Sequence, residues 1–174
     1  MSARHPIISV TGSSGAGTTT VKHTFDQIFR REGIKAVFVE GDSYHRYDRA
    51  DMKVAIAEAT KSGNNHLSHF SPEANLLDEM QKLFIQYGKN GSGLRRYYVH
   101  NDAEAAEHGT PSGTFGPWHN LPPDTDILLY EGLHGAYVGG AIDLPKSSHR
   151  CCARYQSGMD TENTPGQSGA WIFN

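Results

Sequence analysis

Apolar residues in this chain fall into short blocks and longer periodic stretches, in alternation. Residues 7–10 form a compact β-branched run closed by Thr11-Gly12, and residues 36–40 (AVFVE) and 126–130 (DILLY) are further runs of that length. Short apolar runs bounded by glycine or acid read as buried strands. Between the first two, Val21, Phe25, Ile28 and Phe29 recur near helical spacing, which predicts a helix over residues 18–31 with Gly33 as its stop. Strand, helix and strand with short links make a βαβ unit. That implies a parallel sheet covered by helices.

The pattern continues beyond the second strand. Met52, Ala55, Ile56 and Ala59 predict another helix, with His45, Arg46, Arg49 and Lys53 at or just before its start. Residues 63–71 are polar and read as a loop. Ser71-Pro72-Glu73 then opens a helix whose apolar stripe is Leu76, Leu77, Met80, Leu83, Phe84 and Tyr87. A turn is expected over residues 88–93, and residues 94–100 (LRRYYVH) have strand propensity. Residues 101–123, rich in Gly, Pro and His, read as a long loop, a feature that in compact domains is usually functional or disordered. From Tyr137 onward the periodicity fades and Ser, Gly and Pro dominate, so irregular structure is expected there. There is no internal repeat.

Composition narrows the classes. At 174 residues, 37% hydrophobic and 20% charged, the chain suits one soluble domain with a real core. A net charge of −3 gives no basic excess, which argues against nucleic acid as a main partner. No membrane span or signal peptide is evident, and the two cysteines, Cys151 and Cys152, are adjacent rather than a disulfide framework. These features lead to the expectation of a cytoplasmic protein. The ten histidines are scattered, and His66 and His69 lack the nearby ligands of a metal site.

Chemistry concentrates first where the first strand meets the first helix. Gly12, Ser13, Ser14, Gly15, Ala16, Gly17, Thr18, Thr19 and Thr20 read against G-x-x-x-x-G-K-[ST], with Thr18 in the lysine position. Glycines let backbone N–H groups converge on phosphate oxygens, and the helix adds its positive end. Thr19 stands where that motif places a Mg²⁺ ligand. The lysine's charge must then come from elsewhere if catalysis occurs.

Asp42 follows the second strand and should emerge on the same rim as the glycine loop. It is either a base for an attacking hydroxyl or a turn or N-cap aspartate. Glu131, at the end of the DILLY strand, is either a metal-assisting acid or an acid without a role. His45, Arg49 and Lys53, spaced by four, would share one face if the helix begins that early. That face either grips a phosphorylated substrate or is simply solvated. Arg95, Arg96 and His100 either bind an anion or form strand surface.

Taken together, VTGSSGAGTTTVKHTF, EGDSYHRYDR, HFSPEANLLDEM, GSGLRRYYVHNDAEA and GTFGPWHNLPPDTDILLYEGLHG resemble phosphoribulokinases of the proteobacterial, photosynthetic type. The resemblance runs from Met1 to about Ala136. It implies an α/β P-loop kinase fold akin to uridine kinase, three-layered, with a mostly parallel or mixed sheet and flanking helices. The implied reaction moves the γ-phosphate of ATP, with Mg²⁺, to ribulose 5-phosphate, giving the ribulose 1,5-bisphosphate of the Calvin cycle.

Family members also carry a hydroxyl residue at the Thr18 position. Asp42 matches their catalytic base, and His45, Arg49 and Lys53 match sugar-phosphate positions. Glu131 matches the metal-assisting acid, and Arg31 a position linked to effector response. The bacterial members are homo-oligomers activated by NADH.

The family continues with a lid bearing arginines and a lysine, which residues 137–174 do not match. The expected organisation is therefore a family domain over 1–136 and a divergent, truncated or frame-shifted tail over 137–174, with low activity or none. The rival readings are a kinase for another small acceptor, such as a nucleoside, and a non-catalytic nucleotide-binding remnant.

Overall fold

The computed structural model describes residues 5–12 and 16–135, and the backbone of Gly169–Phe173. Strand β1 (Ile7–Thr11), helix α1 (Thr18–Arg31) and strand β2 (Ala36–Glu40) stand as the apolar pattern predicts. Strand β5 (Ile127–Glu131) begins and ends one residue later than the DILLY run. β5 lies between β1 and β2 and is parallel to both. The last strand, β6 (Gly169–Phe173), pairs antiparallel with β1, giving the order β2-β5-β1-β6. The sheet is thus mixed, as the resemblance implies. β6 is a strand in the tail for which irregular structure was expected; its short apolar run, Ala170–Phe173 by position, is masked in the sequence by the glycines and serines before it. The other residues of 137–174 lie outside the described residues.

Strand alternation sends the core to both faces of the sheet. On one face Val37, Val39, Leu128 and Tyr130 pack with Met80, Leu83, Phe84 and Tyr87 of helix α3 (Leu77–Asn90). On the other, Ile8, Val10 and Leu129 pack with Val21, Phe25 and Phe29 of α1. This makes three layers, with β5 buried on both faces. Truncating Leu128, which is 0% exposed, to alanine is expected to cost about 2–5 kcal/mol, read as a lower midpoint in urea unfolding.

Four expectations need correction. Ile28 is exposed, because Val21, Phe25 and Phe29 already form the i, i+4, i+8 stripe and Ile28 lies about 100° away from Phe29. Helix α2 (Arg49–Lys61) starts later than the basic spacing requires. Asp48 is its N-cap, accepting from the backbone N–H of Ala50 and Asp51, and His45 is extended. His45, Arg49 and Lys53 therefore do not share a helical face. The helix expected from Ser71-Pro72-Glu73 is only a 3₁₀ turn, Pro72–Ala74, broken by extended Asn75 before α3 begins. Strand β3 is just Leu94–Arg95, paired with strand β4 (His119–Asn120), and the long loop contains helix α4 (Asp102–His108). No helix among the described residues is long and apolar enough to cross a membrane.

Candidate functional site

The parallel register brings three chain ends to one rim. Val10 and Glu40 both stand opposite Glu131, so β1, β2 and β5 release their chains at the same level. Above them opens a cleft of about 860 Å³, whose walls include Gly12, Thr18, Thr19, Asp42, His45 and Glu131. Six of the residues singled out in the sequence thus share one cavity. Ser13, Ser14 and Gly15 lie outside the described residues. Ala16, Gly17 and Thr20 adjoin the cleft through the chain without lining it.

Gly17 is the N-cap of α1 at φ 80°, a left-handed conformation that costs an L-residue with a side chain roughly 1–2 kcal/mol. The first turn of α1 carries threonines and no acid. Its free N–H groups and the helix dipole are therefore not opposed by a carboxylate within that turn, which suits an anion.

Close backbone approach shapes the rim. A Cβ on Gly41 would stand 2.5 Å from Tyr130 Oη and 3.0 Å from Gly132 Cα. One on Gly132 would stand 2.8 Å from Gly41 Cα. Only glycine at both positions lets the segments carrying Asp42 and Glu131 lie this close.

Asp42 is the centre of a chain of side chains. It leaves β2 on a 3₁₀ turn, Gly41–Tyr44. Its Oδ2 is 3.2 Å from His100 Nε2, and its Oδ1 is 3.4 Å from His45 Nε2. His100 Nδ1 in turn meets Glu104 Oε2 at 3.1 Å. Asn75 Nδ2 donates to the carbonyls of His69 and Ser71, so Asn75 Oδ1 faces His45, and His45 Nδ1 donates to it at 2.9 Å.

The hydrogen bonds from His100 and His45 hold the Asp42 carboxyl well below the usual carboxylate range, against a smaller opposing effect of burial. The Asp42 contact, reinforced by Glu104, pushes His100 up to about 9. Burial lowers His69 and His134.

These shifts set a pH window. His100 binds its proton more tightly when folded, so its contribution is complete below about 6.5 and is lost as pH rises through about 9. Asp42 is depressed, so its contribution is complete above 3.8 and is lost only well into acid. The pair therefore supports the fold across neutral pH and fails first on the alkaline side. Urea unfolding at pH 7 and at about pH 10 should show a larger loss of stability in the native chain than in the Asp42→Asn variant.

The other expected residues lie elsewhere. Arg49 is outside the cleft lining; its Nη2 donates to the His100 carbonyl at 2.9 Å, which ties α2 to the segment bearing His100. Lys53 is exposed on α2 and does not line the cleft. Arg31 sits at the far end of α1, paired with Glu32 at 2.8 Å.

Two residues that shape the cleft, Lys22 and Glu104, are not among the candidates read from the sequence, and a third, His100, has a different role from the one expected. Among the described residues Lys22 is the only lysine or arginine lining the cleft, and its amine is ion-paired with Glu40. His100, expected to bind an anion or form strand surface, instead meets two carboxylates, Asp42 and Glu104. The signal for His100 and Glu104 was present in HNDAE: Asn101 is an N-cap that places His100 and Glu104 side by side. No cluster of three or more His, Cys, Asp or Glu side chains able to hold a metal occurs among the described residues. A Mg²⁺ ion held mainly by nucleotide phosphates, with one or two protein oxygens such as Thr19 and Glu131, fits this donor set.

Comparison with known proteins places the chain among relatives of one family. Residues 7–146 match the Phosphoribulokinase / Uridine kinase family, a span that runs past Ala136. The chain is 57% identical over 144 residues to a phosphoribulokinase of Nitrobacter vulgaris, covering 83% of this chain and 50% of that protein. It is 56% identical over 144 residues to the chromosomal phosphoribulokinase of Cupriavidus necator, covering 83% and 49%. The solved structure of phosphoribulokinase from Rhodobacter spheroides superposes with a TM-score of 0.69 at 52% identity, over 78% of this chain and 45% of that one. The chain thus spans about half the length of the relatives it matches.

Proposed function

The chain belongs to the phosphoribulokinase/uridine kinase family, and from that premise we propose that it takes part in the ATP-dependent phosphorylation of ribulose 5-phosphate to ribulose 1,5-bisphosphate. The observation that carries this reading is the common rim. A glycine loop at a helix start, an ionised aspartate and a strand-end glutamate face one cleft.

In this proposal Gly12 to Thr20 bind the triphosphate through backbone N–H groups and the start of α1. Thr19 and Glu131 hold Mg²⁺, which when bound supplies charge neutralisation at the transferred phosphoryl group. Asp42 orients the C1 hydroxyl of the sugar. As that oxygen bonds to the γ-phosphorus, the bond from phosphorus to the β-γ bridging oxygen breaks and ADP departs. The hydroxyl proton passes to the Asp42 carboxylate.

Asp42 is a weak base because two histidines hold it ionised. A loose phosphoryl-transfer transition state asks more for positioning and charge than for a strong base, so this suits the reaction. His45 supports the acceptor site beside Asp42. Arg49 acts here by holding the His100 segment, and Lys53, exposed on α2 outside the cleft lining, is the residue proposed for the distal phosphate of the sugar. An effector role for Arg31, with NADH as the effector, and a homo-oligomeric assembly belong to the same proposal.

Calorimetric titration with a non-hydrolysable ATP analogue tests the nucleotide half. One-site binding that tightens with Mg²⁺ is expected. Thr19→Ala should weaken it about tenfold, on the order of 1.4 kcal/mol. No saturable binding would overturn the reading.

A further inference from the structure

The turn that carries Asp42 is short, and its backbone polar groups can be followed individually. Asp42 O accepts from His45 N–H at 3.2 Å, and Tyr44 O accepts from Leu76 N–H at 2.7 Å. Two further carbonyls of this stretch, Ser43 O and His45 O, are both taken by one side chain. Arg96 Nε donates to Ser43 O at 2.8 Å, and Arg96 Nη2 donates to His45 O at 2.6 Å. These contacts reach across 53 and 51 residues of sequence.

The guanidinium is itself held in place. It lies 3.7 Å from the Phe115 ring centroid and 4.8 Å from that of Trp118, within the range of cation–π contact. Trp118 packs edge-on against Tyr44, which is buried within the same turn and donates from its hydroxyl to Leu94 O at 3.0 Å.

We propose that Arg96 is a positioning residue, clamping the turn from behind so that Asp42 and His45 present their side chains to the cleft in register with His100 and Asn75. This rests on the reading of Asp42 as the hydroxyl-activating carboxylate. The two carbonyls clamped by Arg96 belong to Ser43, the residue after Asp42, and to His45 itself, so the contacts fix the backbone of the short stretch that bears both side chains.

A planar fork with two N–H groups in fixed relation can hold two carbonyls at once. A lysine amine offers a point charge on a flexible stem and does not reproduce that geometry. Arg95, the preceding residue, directs its hydrogen bonds away from the turn, with Nη1 donating to Phe38 O of β2 at 2.8 Å and Nε to His119 Nε2 at 3.3 Å. It is therefore a natural control for general loss of stability.

The ring proton of His100 reports the geometry directly. The charged groups facing His100 are the carboxylates Asp42 and Glu104; Arg49 meets only its carbonyl, and Tyr98 packs against it edge-on. Removing a nearby cation without any movement would favour His100 protonation and raise its pKa. Moving Asp42 away would lower it. The two effects have opposite signs.

The experiment is an NMR pH titration of the His100 Cε1 proton in the full chain, assigned with His100→Gln. Arg96→Met is expected to lower the His100 pKa by about one unit or more, while Arg95→Met leaves it at the native value. Arg96→Lys, which keeps the charge and is the milder change for folding, should give a smaller fall. A native value in both Arg96 variants, with Asp42→Asn lowering it, would overturn the role of Arg96 and leave Asp42 as assigned. A native value in Asp42→Asn would overturn the pairing on which both readings stand.

Discussion

Replacing Asp42 with asparagine is expected to slow phosphoryl transfer by about 100- to 10,000-fold, the range associated with loss of a positioned general base. Nucleotide binding should be almost unchanged, because the glycine loop and the first turn of α1 are built by other segments. The amide can still accept a hydrogen bond but cannot take up the hydroxyl proton, so the loss should appear in kcat more than in KM. The same substitution removes the charge that holds His100 near 9, and His100 should titrate closer to its ordinary value. A steady-state comparison with ribulose 5-phosphate as the varied substrate, alongside the His100 titration, checks both effects. An unchanged kcat would place the base elsewhere.

The second large effect is expected at the glycine pair beneath the cleft. Gly41→Ala puts a methyl group 2.5 Å from Tyr130 Oη and 3.0 Å from Gly132 Cα. Neither neighbour can yield easily, since Tyr130 is 1% exposed and the other contact is backbone. Overpacking of this kind costs about 1–3 kcal/mol. Relief would come from spreading β2 from β5, which separates Asp42 from Glu131. A misplacement of about 1 Å at reacting groups can cost on the order of 100-fold in rate. The contrast is Gly88→Ala within α3, where nothing lies within 4 Å of the added methyl. There alanine should stabilise by about 0.5–1 kcal/mol through helix propensity. Thermal unfolding of the two variants should therefore shift in opposite directions, with activity lost only in the first.

Much of this arrangement was legible from local pattern. β1, α1 and β2 follow from a β-branched run, a helical stripe and a second short run, and their glycine punctuation gives the boundaries. Gly12, Thr18, Thr19, Asp42 and Glu131 could be gathered on one rim because parallel strands release their chains at a common edge.

What stayed hidden was of two kinds. One was local competition. The basic spacing of His45, Arg49 and Lys53 suggests a helix from residue 45, but the Asp48 side chain caps the helix later and leaves His45 extended. Asn75 likewise ends the Pro72–Ala74 turn by bonding back to Ser71 and His69. The other was long-range pairing. His100 meets Asp42 across 58 residues, and Arg96 reaches the same turn across a similar gap. No periodicity encodes such contacts. They depend on how the segment after β3 crosses the end of β2, a matter of tertiary packing.

Lys22 bears on the loop's missing lysine. Thr18 leaves the glycine loop without a side-chain amine of its own, and the one lysine lining the cleft among the described residues is already ion-paired with Glu40. In the proposed role the loop would bind phosphate through backbone N–H groups and helix polarity.

In the proposed reaction this cleft brings ATP and a phosphorylated sugar together for transfer of the γ-phosphoryl group. That reaction is tested most directly by a single-turnover assay with protein in excess over [γ-³²P]ATP, so that slow transfer is visible, offering ribulose 5-phosphate and uridine in parallel. The account predicts label in ribulose 1,5-bisphosphate, none in uridine, and loss of that transfer in Asp42→Asn. Label passing to uridine instead, or sugar-dependent transfer that persists unchanged in Asp42→Asn, would contradict it.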